Sequence, residues 1–428
     1  MGKIFITENV YEAAMERIAY AFAEFENVLV AFSGGKDSGV LLNLCLKYAS
    51  ENSCLNKLSV YHIDYEAQYQ MTTDYVTQAF AALPDEVGKY WLCLPIKVTC
   101  ATSMFQDHWI PWEREKQELW VRSMPDFQYI ITENTAEFSF RDLWDYDVQE
   151  NFCAWLSGKH SNKLCCLTGV RSDESLNRLS AITSAKKVNQ HRGLCWLTDR
   201  PAYTLGHPIY DWRTEDIWTA NARFGFTYNS LYDLMYQAGM TISQMRVASP
   251  FLDYAKGSLA YYKAIDPDNW GRMISRVNGV NFTGIYGNTT AMGWRNIQKP
   301  AHFTWREYME FLLSTLPDEA RQNYLRKLAV SIKFWREKGG VLSERTLREL
   351  REAQTAVARA HDGQAVVRFA DYPDDMPQIS DFKSVPSYKR MCVCILKNDH
   401  TCKYMGFAKT KSEIKKRKAA IEKWSDLL

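Results

Sequence analysis

Long hydrophobic runs are missing from this sequence of 428 residues. No stretch approaches the ~18 apolar residues that a membrane-spanning helix needs, and the N-terminus has no apolar segment before a small-residue cleavage site, as a signal peptide would. Charge of one sign is also missing: the formal net charge is only +2, so no overall field favours nucleic acid or a membrane surface. We therefore expect a cytoplasmic protein with no membrane partner.

The eleven cysteines come without a secretory signal, which predicts reduced thiols rather than disulfides. Three of them form a ligand-like cluster with a histidine: Cys392, Cys394, His400 and Cys402. The spacing C-x-C-x5-H-x-C is not a standard zinc pattern. Cys392 and Cys394 would share one face of a strand, so we favour burial over metal binding for them and leave the metal question open.

The strongest pattern in the chain is a strand, a Gly-rich loop and a helix near the N-terminus. A β-branched apolar run over residues 28–32 is followed at once by a polar turn, and an apolar helical pattern begins at Val40. Backbone N–H groups and the positive end of the helix dipole meet in such a turn, which suits phosphate. The turn is Ser33, Gly34, Gly35, Lys36, Asp37 and Ser38.

Each residue type in this loop fits a phosphate site. Gly34 and Gly35 allow positive φ and close approach of a ligand to the backbone, the two serines supply hydroxyl donors, and Lys36 supplies a point charge. Asp37 beside a phosphate makes sense as a ligand of Mg²⁺. The loop is not a Walker A loop, which has four residues between its glycine and its Gly-Lys pair.

A second acidic candidate lies at the end of the next strand, over residues 58–64. Ligands of parallel sheets bind beyond the carboxyl ends of the strands, so Asp64 is expected at the same edge as the loop. There it can accept ribose hydroxyls or help to hold a metal, and Glu66 is a second candidate for contact with the nucleoside or the metal. The alternative is an N-cap for a helix over residues 71–82.

A third group follows a buried strand over residues 164–170. Gly169 permits close backbone approach, and Arg171 and Arg178 can clamp phosphate oxygens in a bidentate manner. Glu174 can orient one of the arginines or bind ribose. The alternative is a surface cluster of salt bridges.

The order of these elements predicts an α/β fold: an open, parallel, twisted sheet flanked by helices, built from right-handed βαβ units. We assign residues 1–240 to this domain. Residues 100–160 form an aromatic-rich insertion, over the nucleotide cleft or at an interface. Acidic residues interleave with its aromatics, and stacking platforms for single-stranded nucleic acid lie in basic grooves, so we favour core packing.

The rest of the chain is predicted to be mainly helical over residues 241–360, including a charged helix over residues 342–360. A linker over residues 361–384 follows, marked by Asp-Gly and prolines, and then a small segment over residues 385–428. A basic helix near the end can contact nucleic acid or an acidic partner, although a solvated helix face is the simpler interpretation. Its basic residues are Lys409, Lys411, Lys415, Lys416, Arg417 and Lys418.

The motifs above resemble the PP-loop superfamily of ATP pyrophosphatases and phosphoadenosine-phosphosulfate (PAPS) reductases over about residues 26–240. A Pro-Ile-Tyr-Asp-Trp stretch at residues 208–212 belongs to the same resemblance, and Asp211 and Trp212 there can support the sheet edge structurally. Residues 386–390 and 396–399 with Cys402 resemble a narrower PAPS-reductase-like group of the DUF3440 type, which includes the immunoglobulin-binding regulator A. That group implies a ParB-like partner protein.

The resemblance implies an adenine nucleotide alpha-hydrolase-like, Rossmann-like fold with ATP (or PAPS) and Mg²⁺ as ligands. It implies catalytic roles for Lys36, Asp37, Arg171 and Arg178, with Asp37 as the Mg²⁺ ligand. The implied nucleotide-binding residues are Phe32, Ser33, Gly34, Gly35, Lys36, Asp37, Ser38, Asp64, Gly169, Arg171 and Glu174.

Two departures from the superfamily limit the chemistry. The Glu-Cys-Gly motif of PAPS reductases is missing, and residues 240–250 have no cysteine where iron–sulfur relatives carry Cys-x-x-Cys. Sulfonucleotide reduction is therefore poorly supported, and no iron–sulfur cluster is predicted. The leading hypothesis is α,β-cleavage of Mg-ATP or adenylyl transfer to an unknown acceptor. The alternatives are a PAPS reductase-like or sulfurtransferase activity, and a nucleotide-sensing regulator that acts with a ParB-like partner.

Overall fold

The computed structural model consists of two compact units. The first comprises residues 1–98, 110–250 and 260–276, and the second comprises residues 99–109, 251–259 and 277–428. The structure describes residues 7–407, apart from residues 162, 176–177, 180–181, 183–188, 243–244, 253–254, 256–258, 287–296, 298, 354–356, 362–363 and 382–383.

Seven strands of the first unit form one sheet in the order β6-β3-β2-β1-β7-β9-β8. All neighbouring pairs are parallel except β8 and β9, which confirms the predicted open parallel sheet. The strands in the described part of the chain are β1 (Asn27–Ala31), β2 (Leu58–Ile63), β3 (Gly88–Leu92), β4 (Val98–Thr99), β5 (His108–Trp109), β6 (Ile130–Ile131), β7 (Leu164–Leu167), β8 (Leu197–Asp199), β9 (Thr204–Gly206), β10 (Gly340–Val341), β11 (Val357–His361) and β12 (Gln364–Arg368).

Strand β1 lies at the centre of this sheet. Its Val30 pairs in register with Val60 of β2 on one side and with Leu167 of β7 on the other, and all three side chains are fully buried. Strands that bury both faces read as continuous apolar runs, because helices cover the sheet on each side. The central position places the loop that follows β1 in the middle of the carboxyl edge.

The described helices are α1 (Val10–Glu24), α2 (Lys36–Glu51), α3 (Gln70–Ala82), α4 (Asp145–Lys159), α5 (Thr214–Phe224), α6 (Leu231–Gln237), α7 (Leu259–Ile265), α8 (Pro267–Arg276), α9 (Val280–Tyr286), α10 (Trp305–Ser314), α11 (Asp318–Glu337), α12 (Glu344–Glu352) and α13 (Tyr388–Leu396). Among the described residues, none of these helices combines the length and apolarity needed to cross a membrane.

The predicted insertion over residues 100–160 contributes regular elements as well as loops. Strand β6 extends the main sheet beside β3, and α4 leads into β7. Trp109, Trp112 and Phe140 are buried, which confirms core packing for these aromatics. Tyr146 is an exception, with 40% of its surface exposed.

The second unit corrects three sequence expectations. The helix expected over residues 342–360 ends at Glu352, and β11 pairs with β12 in an antiparallel hairpin. Strand β12 therefore lies inside the segment that was predicted as a linker. The Asp-Gly pair that indicated a linker is also the preferred sequence of a two-residue hairpin turn, and the register leaves two residues between His361 and Gln364.

The third correction concerns Cys392 and Cys394, which lie on α13 rather than on a strand. Both belong to a buried apolar cluster with residues of α10 and α11. The basic residues from Lys409 to Lys418 lie outside the described part of the chain.

Candidate functional site

The Gly-rich loop connects β1 to α2, as its sequence pattern predicts. Gly35 is the N-cap of α2, and Gly34 has a φ of +75°. A Cβ at Gly34 would lie only 2.7 Å from Cγ2 of Val76 on α3. Both the backbone conformation and the close approach of α3 therefore require glycine at this position.

Hydrogen bonds within the loop fix its shape. The Ser33 N–H donates to Oγ of Ser38 (3.2 Å), and Ser38 Oγ donates to the carbonyl oxygen of Gly35 (3.1 Å). Because Ser33 and Ser38 also bond each other through their hydroxyls (3.0 Å), these serines shape the loop itself. Such prior ordering lowers the entropic cost of binding a ligand.

Two residues that follow α5 hold the loop from outside. The Lys36 N–H donates to the hydroxyl oxygen of Tyr232 (2.9 Å), and Nδ2 of Asn229 donates to the carbonyl oxygen of Gly34 (3.0 Å). Both residues are buried. Neither was predicted as a site residue, because their contact with the loop spans almost 200 positions of sequence.

Asp37 lies between two cations. Its carboxylate is 3.1 Å from Nζ of Lys36 and 2.5 Å from Nε of Arg171. Burial lowers the pKa of Lys36, and the adjacent Asp37 carboxylate offsets part of that shift. The structure thus brings together three of the four predicted catalytic residues.

Arg171 is committed to protein partners. Only 2% of its surface is exposed, and it donates to the Trp212 carbonyl oxygen (3.3 Å) and to Oγ1 of Thr214 (3.1 Å) as well as to Asp37. A guanidinium so engaged holds the Asp37 carboxylate in place, so we do not propose it as a direct phosphate clamp.

Gly169 permits the close approach that its position predicted. A Cβ on this residue would lie 2.9 Å from both the carbonyl carbon of Asp37 and the backbone nitrogen of Ser38. The end of β7 can therefore approach the first turn of α2 only while residue 169 is glycine.

Glu174 forms a second ion pair near the loop. It pairs closely with Arg178, and its Oε2 accepts from the Arg171 N–H (3.5 Å). Its carbonyl oxygen accepts from Nη2 of Arg246 (3.4 Å). Arg246 was not predicted as a site residue; it lies in the cysteine-free segment over residues 240–250.

Asp64 lies in a different environment from the loop. Its carboxylate is fully buried and accepts from Arg122, from Nε1 of Trp91 (2.8 Å) and from the Glu66 N–H (2.9 Å). Burial alone would raise the pKa of Asp64, but the charge of Arg122 and these donors lower it below its usual value. A carboxylate with these partners stabilises the fold, so we do not propose it as a ribose or metal ligand. It is not an N-cap either, because the N-cap position of α3 is occupied by Tyr69.

Glu66, the second carboxylate predicted to contact the nucleoside or the metal, has a matching structural role. Its side chain is fully buried, and it accepts from the N–H groups of Trp112 (2.7 Å) and Val121 (3.0 Å) and from Nε of Arg276 (2.9 Å). Together with Asp64, it ties the insertion to the end of β2.

The remaining predicted residues have structural partners. The Phe32 ring is in the core with Tyr75 and Phe80, so only the Phe32 backbone belongs to the loop. Asp211 forms a two-bond pair with Arg17 of α1 (2.8 Å each). The Pro-Ile-Tyr-Asp-Trp stretch thus anchors α1.

All eleven cysteines lie in the described part of the chain, and none of them is exposed. Burial raises the pKa of Cys392 to about 12 and raises that of Cys394 as well. These thiols are poor nucleophiles, because the thiolate is the reactive form. Within the described ranges, no group of three His, Cys, Asp or Glu side chains is arranged to hold a metal ion.

Comparisons with known proteins show similarity to a family model and to a relative that aligns over nearly the whole chain. A model described as a domain of unknown function, DUF3440, matches residues 239–416. The Escherichia coli (strain K12) protein described as uncharacterized protein YbdN is 33% identical over 421 residues, which cover 96% of this chain and 93% of that protein.

Similar solved structures include PP-loop proteins. PAPS reductase from Candida auris is 16% identical, with a TM-score of 0.29 over 54% of this chain and 94% of that one. FMN adenylyltransferase from Candida glabrata, in complex with FAD and inorganic pyrophosphate, is 14% identical, with a TM-score of 0.31 over 52% of this chain and 58% of that one. At these values, the similarity carries no conclusion about substrate.

Proposed function

The chain belongs to the same family as the Escherichia coli protein YbdN, with the DUF3440 domain over residues 239–416, and on this premise we propose that it binds Mg-ATP at the Gly-rich loop. We further propose that it cleaves the bond between the α- and β-phosphates. The observation that carries the proposal is the ordered Ser-Gly-Gly-Lys-Asp-Ser loop at the carboxyl end of the central parallel strand.

The loop has the features that a polyphosphate needs. Gly35 has no side chain to cap α2, so the first turn of that helix can offer its positive dipole end to an anion, with backbone N–H groups beyond that of Lys36, which is bonded to Tyr232. Lys36 adds a fixed positive charge that is held in place by Asp37. Water is largely excluded around Lys36, which is 7% exposed, so its charge acts more strongly than it would on the surface.

The proposed reaction is a displacement at the α-phosphate. An acceptor oxygen or a water molecule forms a bond to the α-phosphorus, and the bond from that phosphorus to the bridging oxygen breaks. Pyrophosphate leaves with that oxygen, and the proton of the acceptor passes to solvent. Lys36 stabilises the charge that develops on the leaving group, and positioning accounts for most of the rate.

Mg²⁺ enters as part of the nucleotide. It is usually held by phosphate oxygens with one or two carboxylates and water, and Asp37 is the carboxylate in the loop that fits this donor set. When bound, Mg²⁺ would neutralise charge on the leaving pyrophosphate. To reach it, the Asp37 carboxylate has to give up part of its contact with Lys36 or Arg171.

The second hypothesis, a sulfonucleotide reductase or sulfurtransferase, requires a reactive thiol. The buried cysteines with raised pKa values do not favour it. The third hypothesis, a nucleotide sensor that acts with a ParB-like partner, uses the same loop. It differs from the enzyme in that the nucleotide would be released unchanged.

Identification of the products tests the proposal. The purified chain is incubated with Mg-ATP, and the nucleotides are separated by chromatography. AMP and pyrophosphate are expected, even at a slow rate with water as acceptor, and Lys36→Met is expected to abolish them. ADP and phosphate would contradict α,β-cleavage. Binding without turnover would favour the nucleotide-sensor hypothesis. Binding of PAPS in preference to ATP would favour the sulfonucleotide reductase or sulfurtransferase hypothesis.

A further inference from the structure

The segment over residues 245–250 packs against the Gly-rich loop. Val247 lies against Gly35, with 3.8 Å between its Cβ and the position that a Cβ of Gly35 would occupy. Met245 and Ser249, on either side of it, are both buried, with 4% of their surface exposed. The segment is therefore anchored on both sides of Arg246.

Arg246 itself is exposed. Among the described residues, it makes a single hydrogen bond, from Nη2 to the Glu174 carbonyl oxygen, at 3.4 Å. Its positive charge is close enough to Lys36 to lower the pKa of that amine. It is thus a cation beside the loop that has no carboxylate partner among the residues that the structure describes.

The other cations near the loop are already paired. Lys36 and Arg171 share Asp37, and Arg178 pairs with Glu174. Counting only described residues, one positive charge is in excess, because four basic side chains stand against three carboxylates. They are Lys36, Arg171, Arg178 and Arg246 against Asp37, Asp173 and Glu174. An exposed excess cation beside a backbone cradle favours a ligand with more than one negative charge.

A buried polar atom in the same segment lacks a partner. The hydroxyl oxygen of Ser249 has no hydrogen-bond partner among the described residues. Buried hydroxyls are rarely left without a partner, so this atom marks the segment as one whose polar groups are completed by something other than the described protein.

From these contacts we infer that Arg246 binds a phosphate oxygen of the nucleotide and makes the site selective for a polyphosphate over an uncharged nucleoside. The inference rests on the proposed function. It assigns the direct phosphate contact to the exposed Arg246 and leaves the buried Arg171 as the residue that positions Asp37.

The test compares Arg246→Gln with the wild type by isothermal titration with Mg-ATP, AMP and adenosine. A charged hydrogen bond to phosphate is expected to contribute about tenfold to hundredfold in affinity, so Arg246→Gln should lose this much for Mg-ATP and show no change for adenosine. Arg246→Lys keeps the charge but not the planar fork, and it should recover part of the affinity.

Arg223→Gln is the matched control. Arg223 is also exposed, and it lies in the last turn of α5, about 14 Å along that helix from Thr214. The Arg223→Gln variant should bind Mg-ATP with the affinity of the wild type. Wild-type affinity in Arg246→Gln would overturn the inference while leaving the proposed function intact. Equal losses for Mg-ATP and adenosine would also overturn it, since that result indicates a displaced loop. Failure of the wild type to bind any nucleotide would refute the proposed function together with the inference.

Discussion

At the scale of single residues, Asp37 balances the charges of Lys36 and the buried Arg171. It is also the carboxylate that we propose as the Mg²⁺ ligand. A variant that lacks this carboxylate is therefore expected to lose stability as well as the proposed Mg²⁺ ligand. Loss of nucleotide binding in such a variant is not by itself evidence for a metal ligand.

Asp37→Asn is expected to lower the free energy of unfolding by about 2 kcal/mol, because it leaves two neighbouring cations unbalanced. Chemical denaturation measures the free energy of unfolding. The control is Asp85→Asn on the surface, whose free energy of unfolding is expected to lie within about 0.5 kcal/mol of the wild-type value. The combination with Arg171→Met should lose less than the sum of the two single losses, since both remove the same pair. Full additivity would show that the pair does not contribute.

His62 makes the stability of the protein depend on pH, and it lies where the loop begins. It is buried, and Nδ1 bonds the Phe32 carbonyl oxygen (2.8 Å) where the loop begins. Burial lowers the pKa of His62 below its ordinary 6.5. As pH falls through that ordinary value, the unfolded chain takes up a proton that the folded chain resists, so stability is lost from about pH 6.5 downward.

His62→Gln removes this titration and retains a donor for the Phe32 carbonyl. The slope of unfolding free energy between pH 7 and pH 5 is expected to be shallower in the variant than in the wild type. Denaturation at pH 8, where histidine is neutral in both states, supplies the reference within each protein. Parallel slopes across the acid range would refute this role for His62.

At the scale of elements, the close contact between the end of β7 and α2 requires glycine at residue 169. Gly169→Ala would force its Cβ to 2.9 Å from the backbone of α2. Overpacking of this kind costs about 1–3 kcal/mol, and it should displace the first turn of α2 and weaken Mg-ATP binding.

Gly158→Ala in α4 is the matched control, because no atom lies within 4 Å of the position that a Cβ would occupy there. Gly158 lies in the last turn of α4, so this change should be neutral or stabilise by at most about 0.5–1 kcal/mol. Thermal unfolding and titration with Mg-ATP test both variants. Wild-type behaviour of Gly169→Ala would contradict the close approach of β7 to α2.

The contact between the insertion and β2 gives another prediction at this scale. Glu66→Gln replaces a buried carboxylate that faces two N–H groups and Arg276, so we expect a loss of about 3 kcal/mol. Glu115→Gln, exposed in the same insertion, should be silent. Hydrogen exchange should show faster exchange at the Trp112 and Val121 amides in Glu66→Gln alone. Unchanged protection there would contradict the role of Glu66.

The elements that local sequence could predict are those with strong local patterns. Apolar runs at β1, β2 and β7 predicted the parallel sheet, and the Ser-Gly-Gly-Lys-Asp-Ser order predicted the loop between β1 and α2. The partners of Asp64 could not be predicted, because Arg122 and Trp91 come from distant positions. The bond between the loop and Tyr232 could not be predicted for the same reason. The β11–β12 hairpin was missed because Asp-Gly serves linkers and tight turns alike.

At the scale of the whole molecule, the motif and the family model fall in different parts of the chain. The loop lies in the first compact unit, and the family match begins at residue 239 and covers most of the second. The Escherichia coli relative aligns over 96% of the chain, so both parts occur together in one chain in this family. A test of function should therefore use the full chain.

The central claim is that the Gly-rich loop of the full chain binds the phosphates of an adenine nucleotide. Isothermal titration with Mg-ATP into the wild type, Lys36→Met and Lys47→Met tests it most directly, because Lys47 lies on the same helix in an exposed pair with Glu51. We predict saturable binding by wild type and Lys47→Met that requires Mg²⁺, and at least about tenfold weaker binding by Lys36→Met. No binding by the wild type, or equal binding by all three proteins, would contradict the claim.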